Sequence, residues 1–261
     1  MTRAHTIGPE QVEATLQYLS QLKLRSLPVI SDADNNAVGI VKLGNLPEGI
    51  VSGGTMLAFA ADVPAEVRGA VAMAALVAQR RANTLKVGKG SDAWIEAHLG
   101  VFQKLNWLLE QNAEAEHTVS EAGIGIHTAI IPFLTAALGP GGVAGSTIIT
   151  SLQNLSDVDA KKRWFRLYDK NTRAVQMTEQ FFGYVSIEDG SVVIRMAAIA
   201  LDGKHCKRQI LLFRTSRSDV TFRGRAIQMR AQPDMLTQLY GPLADKLENR
   251  AEDFLARIDI G

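Results

Sequence analysis

The residue with the clearest chemical potential is Cys206, the only cysteine of the chain, which lies among Lys204, His205, Lys207 and Arg208. Nearby positive charge lowers the pKa of a thiol and raises its thiolate fraction, which favours acylation or redox chemistry. A single cysteine excludes an intrachain disulfide and a zinc site built from several thiolates. We therefore expect a covalent modification at Cys206, with an inert free thiol as the alternative.

Cys206 belongs to a basic stretch, residues 204–230, with eight Lys or Arg residues, one acid and a local charge of +7. This stretch either binds anionic headgroups or phosphates, at roughly 1 kcal/mol per basic side chain, or forms a solvated face paired with acids of the C-terminal helix. Alternate residues of a strand share a face, so Arg223 and Arg225 are expected to project together. The candidate anion-binding residues are Lys204, Lys207, Arg208, Arg223 and Arg225.

Other common chemistries are not expected. The five histidines never lie three or four residues apart, which argues against a metal site, and His117 with Glu121 forms one plausible helical imidazole–carboxylate pair. The glycine-rich residues 139–147 lack the lysine of a phosphate-binding loop and follow a predicted helix, so we interpret them as a turn. Few aromatic residues lie among the basic ones, so nucleic acid is not an expected partner.

Residues 122–156 contain no Asp, Glu, Lys or Arg. A membrane-spanning helix needs about 20 consecutive apolar residues, but Pro132 and the sequence Gly139-Pro140-Gly141-Gly142 interrupt this segment. We therefore predict a helical hairpin with arms at 122–138 and 143–155. His127 lies in this hairpin, either as a hydrogen-bonded core residue or as a protonation switch.

Hydrophobic periodicity predicts the elements around these residues. Outside the hairpin, the first predicted helix begins at Pro9, the second runs from Asp62 to about Asn83, and the third runs from a cap at Ser91 to Leu109. The fourth covers 158–168. The fifth begins at Pro233 and ends near Ile258, with a bend at Gly241-Pro242. The predicted strands form a hairpin within 29–41 and a set of four at 181–187, 192–196, 209–214 and 220–229. The order of helices before strands indicates an α+β fold.

We expect one α+β domain over residues 1–261. Its helix-rich N-terminal two-thirds would pack on a C-terminal antiparallel sheet of about four strands, closed by a C-terminal helix. Residues 1–50 would form a helix and a hairpin, 60–170 the helical part, and 173–261 the sheet with the terminal helix. The 261 residues, net charge of +1 and 46% hydrophobic content are typical of a globular protein.

The start of the chain has one early positive charge but no apolar stretch of signal-peptide length behind it. We therefore expect synthesis in the cytoplasm without a conventional signal peptide. Release from the cell, or delivery to a host, would use another route.

Three stretches resemble the bacterial family of the Erwinia virulence factor type. They are Cys206 ahead of QILLF, the sequence W…LGVFQKLNW from Trp94 to Trp107, and the ending VTFRGRAIQMR…LYGPLADKL. The resemblance covers most of residues 60–261 and implies a mixed α/β fold, membrane targeting and a palmitoyl thioester on a single cysteine. Cys206 is the only residue of this chain to which the resemblance assigns a role, that of the acylation site. The resemblance implies no cofactor beyond that covalent acyl group.

Three functions follow as hypotheses. The first is a non-enzymatic bacterial effector or toxin-like virulence protein that associates with anionic membranes through the uncharged hairpin, the basic stretch and a lipid on Cys206. The second is a self-assembling homo-oligomer that buries the hairpin between protomers. The third is a cysteine-dependent acyl-transfer enzyme with His205 as base. It ranks last, because adjacent residues of a strand point to opposite faces.

Overall fold

The computed structural model describes residues 8–27, 43, 46–85, 91–119, 126–139, 143–155, 162–174, 179–201 and 220–258. Two predicted elements lie outside these ranges, namely the hairpin within 29–41 and the strand at 209–214. The described strands form one sheet of seven. They are β1 Gly49–Ser52, β2 Thr55–Phe59, β3 Leu108–Val119, β4 Glu179–Glu188, β5 Ser191–Leu201, β6 Val220–Ala231 and β7 Leu255–Arg257.

The order of strands across the sheet is β3-β6-β5-β4-β2-β1-β7. Neighbouring strands run antiparallel except β2 and β4, which pair in parallel. The turn between β4 and β5 is the predicted hairpin, and both of its central residues, Asp189 and Gly190, have positive φ, at 50° and 73°. Two consecutive positive φ values match the twist of a two-residue hairpin.

Helices cover both faces of this sheet. The helices are α1 Pro9–Gln21, α2 Ala65–Ala82, α3 Asp92–Lys104, α4 Ile126–Ala129, α5 Ile131–Leu138, α6 Val143–Gln153, α7 Arg163–Ala174 and α8 Pro233–Lys246. Helices α1, α2, α3 and α8 share one apolar core with the sheet and form the first helical layer. Helices α4 to α7 share a separate core with its other face and form the second helical layer.

Alternation along the strands explains the two cores. In β4, Phe181 and Val185 belong to the core of the first layer, whereas Phe182 and Tyr184 belong to the core of the second. Successive side chains of a strand point to opposite faces, so a strand that is apolar at every position is buried on both sides. The almost continuous apolar sequence of β4 and β5 therefore requires two covering layers.

The α+β class is confirmed, with a sheet larger than expected. Helix α3 begins as predicted, since the Ser91 side chain accepts a hydrogen bond from the Trp94 N–H at 3.4 Å. Its predicted continuation to Leu109 is wrong, because Asn106 adopts a positive φ of 63° and the chain then enters β3. His117 therefore lies on a strand, and the helical pair with Glu121 is wrong.

The predicted C-terminal helix is also too long. Glu248 and Asn249 have positive φ values of 57° and 53°, which end the helical path after α8. The chain continues as a 3-10 helix, Ala251–Phe254, and then as β7, which pairs with β1. Pro242 lies inside α8, at the position predicted for the bend. The short strands β1 and β2, joined through Gly53, were not expected.

His98 lies at the centre of the first core, fully buried, with no hydrogen-bond partner for either ring nitrogen. Its ring stacks between Trp94, at a centroid distance of 5.2 Å, and Phe181, at 4.8 Å. Burial lowers the pKa of His98 from 6.5 to about 3, because the imidazolium would lose its hydration. The folded protein therefore holds this histidine neutral.

We expect His98 to make the fold sensitive to acid. Above pH 6.5 the ring is neutral in the folded and the unfolded chain, so protonation of His98 does not lower the free energy of unfolding. Between pH 6.5 and about 3 only the unfolded chain takes up the proton, so the free energy of unfolding falls by about 1.4 kcal/mol per pH unit. Urea denaturation from pH 7 to 4.5 should show a shallower pH dependence for His98→Phe. Parallel pH profiles for the two proteins would contradict this role.

Candidate functional site

The sequence-predicted site divides between described and undescribed parts of the chain. Lys204, Cys206, Lys207 and Arg208 lie outside the described residues, so their roles stay predictions. The strands on either side of them, β5 and β6, are hydrogen-bonded neighbours, with Leu201 paired to Phe222. The remaining candidates, Arg223 and Arg225, lie on β6.

Arg225 is the centre of a cluster of ion pairs at the edge of the first layer. Its Nη2 donates to Asp92 Oδ1 at 2.6 Å and also to Glu114 Oε2, and its Nη1 lies 3.5 Å from Glu96 Oε1. Nη1 also donates to Asn112 Oδ1 at 3.4 Å. The Arg225 residue is 8% exposed, so its charge has lost most of its hydration and depends on these oxygens.

Arg223 joins the same cluster from two residues away. Its Nη1 donates to Glu114 Oε1 at 3.1 Å, so one carboxylate on β3 binds both arginines. This arrangement confirms that Arg223 and Arg225 project on one face. Arg223 is much more exposed, with 46% of its side chain accessible against 10% for Arg225. Of the two guanidinium groups, Arg223 is therefore the one that solvent or a ligand can reach.

Local geometry explains why these acids meet Arg225. Asp92 and Glu96 are four residues apart at the start of α3, so they share a face of that helix. Glu114 is directly opposite Arg225 in the β3–β6 ladder. The pairing predicted as an alternative, with acids of the C-terminal helix, is wrong for these ion pairs of Arg223 and Arg225, because their carboxylates come from α3 and β3.

A second polar network lies on the opposite face, beside the β4–β5 turn. Arg195 donates to the Glu188 carboxylate through Nη1 and Nη2, and the Ser186 hydroxyl donates to Glu188 Oε1 at 2.7 Å. Hydrogen bonds from Arg195 and then Ser186 lower the pKa of Glu188 to about 2. Arg230 donates to Glu110 at 2.9 Å and to the Glu188 carbonyl at 3.1 Å. The described basic side chains of β6 are thus held by acids of the sheet and of α3.

The second helical layer contains buried polar atoms that lack hydrogen bonds. Gln180 is fully buried and neither amide atom has a partner, and the Tyr168 hydroxyl and Trp164 indole N–H are also without one. Burial, and then the charge of Asp169, raise the pKa of Tyr168 well above 10. A buried polar group without a partner costs about 1–3 kcal/mol. These groups weaken the hold of the second layer on the sheet.

The predicted hairpin forms part of this second layer. Leu134 and Leu138 of α5 and Ile148 and Leu152 of α6 are buried in its core. The opposite side of α5 exposes uncharged residues, which are Pro132, Thr135 and Ala136. Within the described ranges, no helix combines the length and apolar character needed to cross a bilayer, and no group of three or more His, Cys, Asp or Glu residues could hold a metal ion.

A shallow depression adjoins the Arg225 cluster. Ile95, Glu114, Ala198, Ala200 and Arg223 line it. Its volume is about 10 Å³, which is room for about one water molecule. Sites for small molecules occupy about 300–1,000 Å³, so this depression cannot enclose a typical substrate.

No protein-family model matches the chain, and a search of curated proteins finds no significant match. Among solved structures, the chain is similar to the Evf virulence factor, with a TM-score of 0.36 and 11% identity over 95% of this chain and 91% of that one. It is also similar to a delta-endotoxin, with a TM-score of 0.35 and 12% identity over 78% and 89% of the two chains. Both are distant similarities, and family membership does not follow from them.

The acids of the Arg225 cluster were missed from the sequence. The available signals were the spacing of Asp92 and Glu96 and the alternation of Glu114 and Glu116, but the helix predicted from Ser91 extends to Leu109, and no strand is predicted after it. Even with both signals, the partner could not be assigned, because Asp92 and Arg225 are 133 residues apart in sequence.

We expect Arg225→Met to lower the free energy of unfolding by about 2 kcal/mol, because Asp92, Glu96 and Glu114 would then repel one another without a counter-charge. Arg223→Met is the matched control on the same face, and it should cost less than about 1 kcal/mol since that side chain is exposed. Urea denaturation at low salt measures both. Equal losses would show that the cluster is not centred on Arg225.

We expect Gln180→Met to stabilise the protein by about 1–2 kcal/mol. The substitution keeps the volume and removes two buried polar atoms that have no partners. Thermal and urea denaturation measure the effect. Gln79→Met is the matched control, since the Gln79 side chain accepts a hydrogen bond from the Gly54 N–H at 3.0 Å and its loss should destabilise. Destabilisation by Gln180→Met would mean that its amide has partners.

Proposed function

We propose that this chain is a non-enzymatic, toxin-like bacterial effector that associates with membranes through the outer surface of the α5–α6 hairpin. The observation that carries the proposal is the combination of an apolar inner side with an uncharged outer side over the described residues 131–138 and 147–155. Most protein surfaces mix both signs of charge, and a surface without charged groups avoids their large desolvation cost at a lipid interface.

An exposed hydroxyl group of the hairpin supports this surface. The Thr135 hydroxyl donates to the Ile131 carbonyl at 3.0 Å. This hydrogen bond is made within its own helix, four residues back. The hydroxyl group therefore loses little when water is replaced by headgroups and acyl chains.

The lengths of the two helices determine the mode of association. Helix α5 has 8 residues and α6 has 11, so at 1.5 Å per residue they extend about 12 Å and about 16 Å. The hydrocarbon core of a bilayer is about 30 Å thick. We propose that the hairpin lies in the plane of the interface, as amphipathic surface helices do.

A basic segment and a lipid would strengthen this contact. Because Arg225 is surrounded by carboxylates, and Arg223 lies with it on the face of the first layer, opposite the hairpin, attraction to anionic headgroups would come from Lys204, Lys207 and Arg208. One weak membrane anchor binds reversibly, whereas two together hold a protein stably. We propose that acylation of Cys206 supplies the second anchor.

Flotation with vesicles containing about 30% phosphatidylserine tests the hairpin surface. Thr135→Glu with Ala136→Glu adds two charges to the outer side of α5 and should reduce the bound fraction at least tenfold, at about 1 kcal/mol for each charge. Ala14→Glu with Gln17→Glu adds the same charges to exposed positions of α1 and should change binding less than twofold. Equal binding by both double variants would refute the hairpin surface.

The same assay tests the lipid. Protein treated with an acyl donor should float more completely than Cys206→Ser treated in the same way. If wild type and Cys206→Ser remain equally in the soluble fraction under both conditions, the membrane proposal fails. Light scattering without vesicles distinguishes the alternative in which protomers bury the hairpin, because that alternative requires an oligomer at micromolar concentration.

A further inference from the structure

We propose that strand β3 is a docking surface for a basic, extended segment of a partner protein, which would add a strand to the sheet. Within the described part of the chain, β3 pairs with β6 on one side only. From Leu108 to Glu116 its residues are exposed, except for the half-buried Leu109. The outward N–H and C=O groups of such an edge can template another strand.

The edge is long and regular. After a register shift between Leu109 and Gln111, residues 111 to 119 pair with β6 without interruption. Nine residues of strand extend about 30 Å. Natural proteins protect exposed edges with short strands, charged side chains, proline or bulges. The charged residues of β3 are all acidic, namely Glu110, Glu114 and Glu116, so they oppose pairing with an acidic strand but not with a basic one. Leu108, at its start, is 64% exposed and offers an apolar contact.

Charge selects the partner. On the side of the first layer, the described residues bring four carboxylates near the two guanidinium groups of Arg223 and Arg225, so these six side chains together carry a charge of −2. The carboxylates are Asp92, Glu96, Glu114 and Glu116. A second copy of β3 would bring like charges together across the new pair, which is destabilising. A basic strand would instead compensate the excess charge.

The geometry also sets the pattern of the partner. Glu114 and Glu116 are alternate residues of β3, about 6.8 Å apart on one face. A paired strand has the same spacing, so its basic residues should occur at every second position. Its intervening residues would lie beside Ala113 and Ala115 on the other face, where there is room for threonine or valine.

A labelled nine-residue peptide of alternating Lys and Thr, titrated with the full chain at low salt, tests the proposal by fluorescence anisotropy. The Lys peptide should bind at least tenfold more tightly than the same peptide with Glu in place of Lys. Two N-methylated Lys peptides separate strand addition from charge alone. One peptide has N-methyl groups at its Thr positions and the other has them at its Lys positions. Only one of these two peptides should lose binding, because only one edge of the added strand faces β3.

Variants of the chain locate the surface. Glu116→Lys should weaken binding of the Lys peptide about fivefold. Glu66→Lys is the matched control and should leave binding of the Lys peptide unchanged. Glu66 is exposed on α2, and α2 packs on β1 and β2, which are distant from β3 in the strand order. Equal binding of the Lys and Glu peptides, equal loss for both methylated peptides, or equal effects of the two variants would overturn the proposal. A dimer of the chain alone that Glu116→Lys disrupts would also overturn it, in favour of a second copy.

Discussion

The burial of both faces of a single sheet is the constraint on which the rest of the molecule depends. Strands β4 and β5 are apolar at nearly every position, so neither face can meet water at low cost. Two helical layers supply the cover, and each has its own apolar core. The N-terminal strands β1 and β2 and the C-terminal β7 extend the same sheet, which ties the two ends of the described chain together.

Both layers combine close apolar packing with buried polar atoms. In the first layer the small side chains of α2 pack closely, and its polar residues are partly satisfied; for example, the Trp94 indole N–H donates to Asn83 Oδ1 at 3.0 Å. The second layer contains Gln180, Tyr168 and Trp164 with unpaired polar atoms. In the first layer His98 and Trp107 also have ring nitrogens without a partner among the described residues, so buried unpaired polar atoms oppose the apolar packing in both layers.

Periodicity and caps were sufficient to predict much of the fold. Helix α2, the Ser91 cap of α3, the helices of the hairpin and the β4–β5 turn all follow from local rules. Strand β3 did not, because Glu, Gln and Ala favour helices and only its pairing with β6 stabilises it as a strand. Strands β1 and β2 are four and five residues long, too short for a clear period.

The site was less predictable than the fold for the same reason. The sequence showed a basic stretch, but the charge of Arg225 is compensated by residues from α3 and β3 that are distant in sequence and become neighbours only when the sheet forms. Among the described residues at this edge of the sheet, two arginines of the stretch meet four carboxylates. The net charge of a sequence segment therefore does not predict the charge around each of its residues in the fold.

Hydrogen exchange measured by mass spectrometry, with and without anionic vesicles, tests the membrane-bound state most directly. We expect vesicles to slow exchange selectively in residues 131–138 and 143–153, while the strands beneath them stay unchanged, because the hairpin meets the interface without leaving the sheet. Identical exchange with and without vesicles, or faster exchange in the hairpin together with the second-layer face of the sheet, would contradict this account.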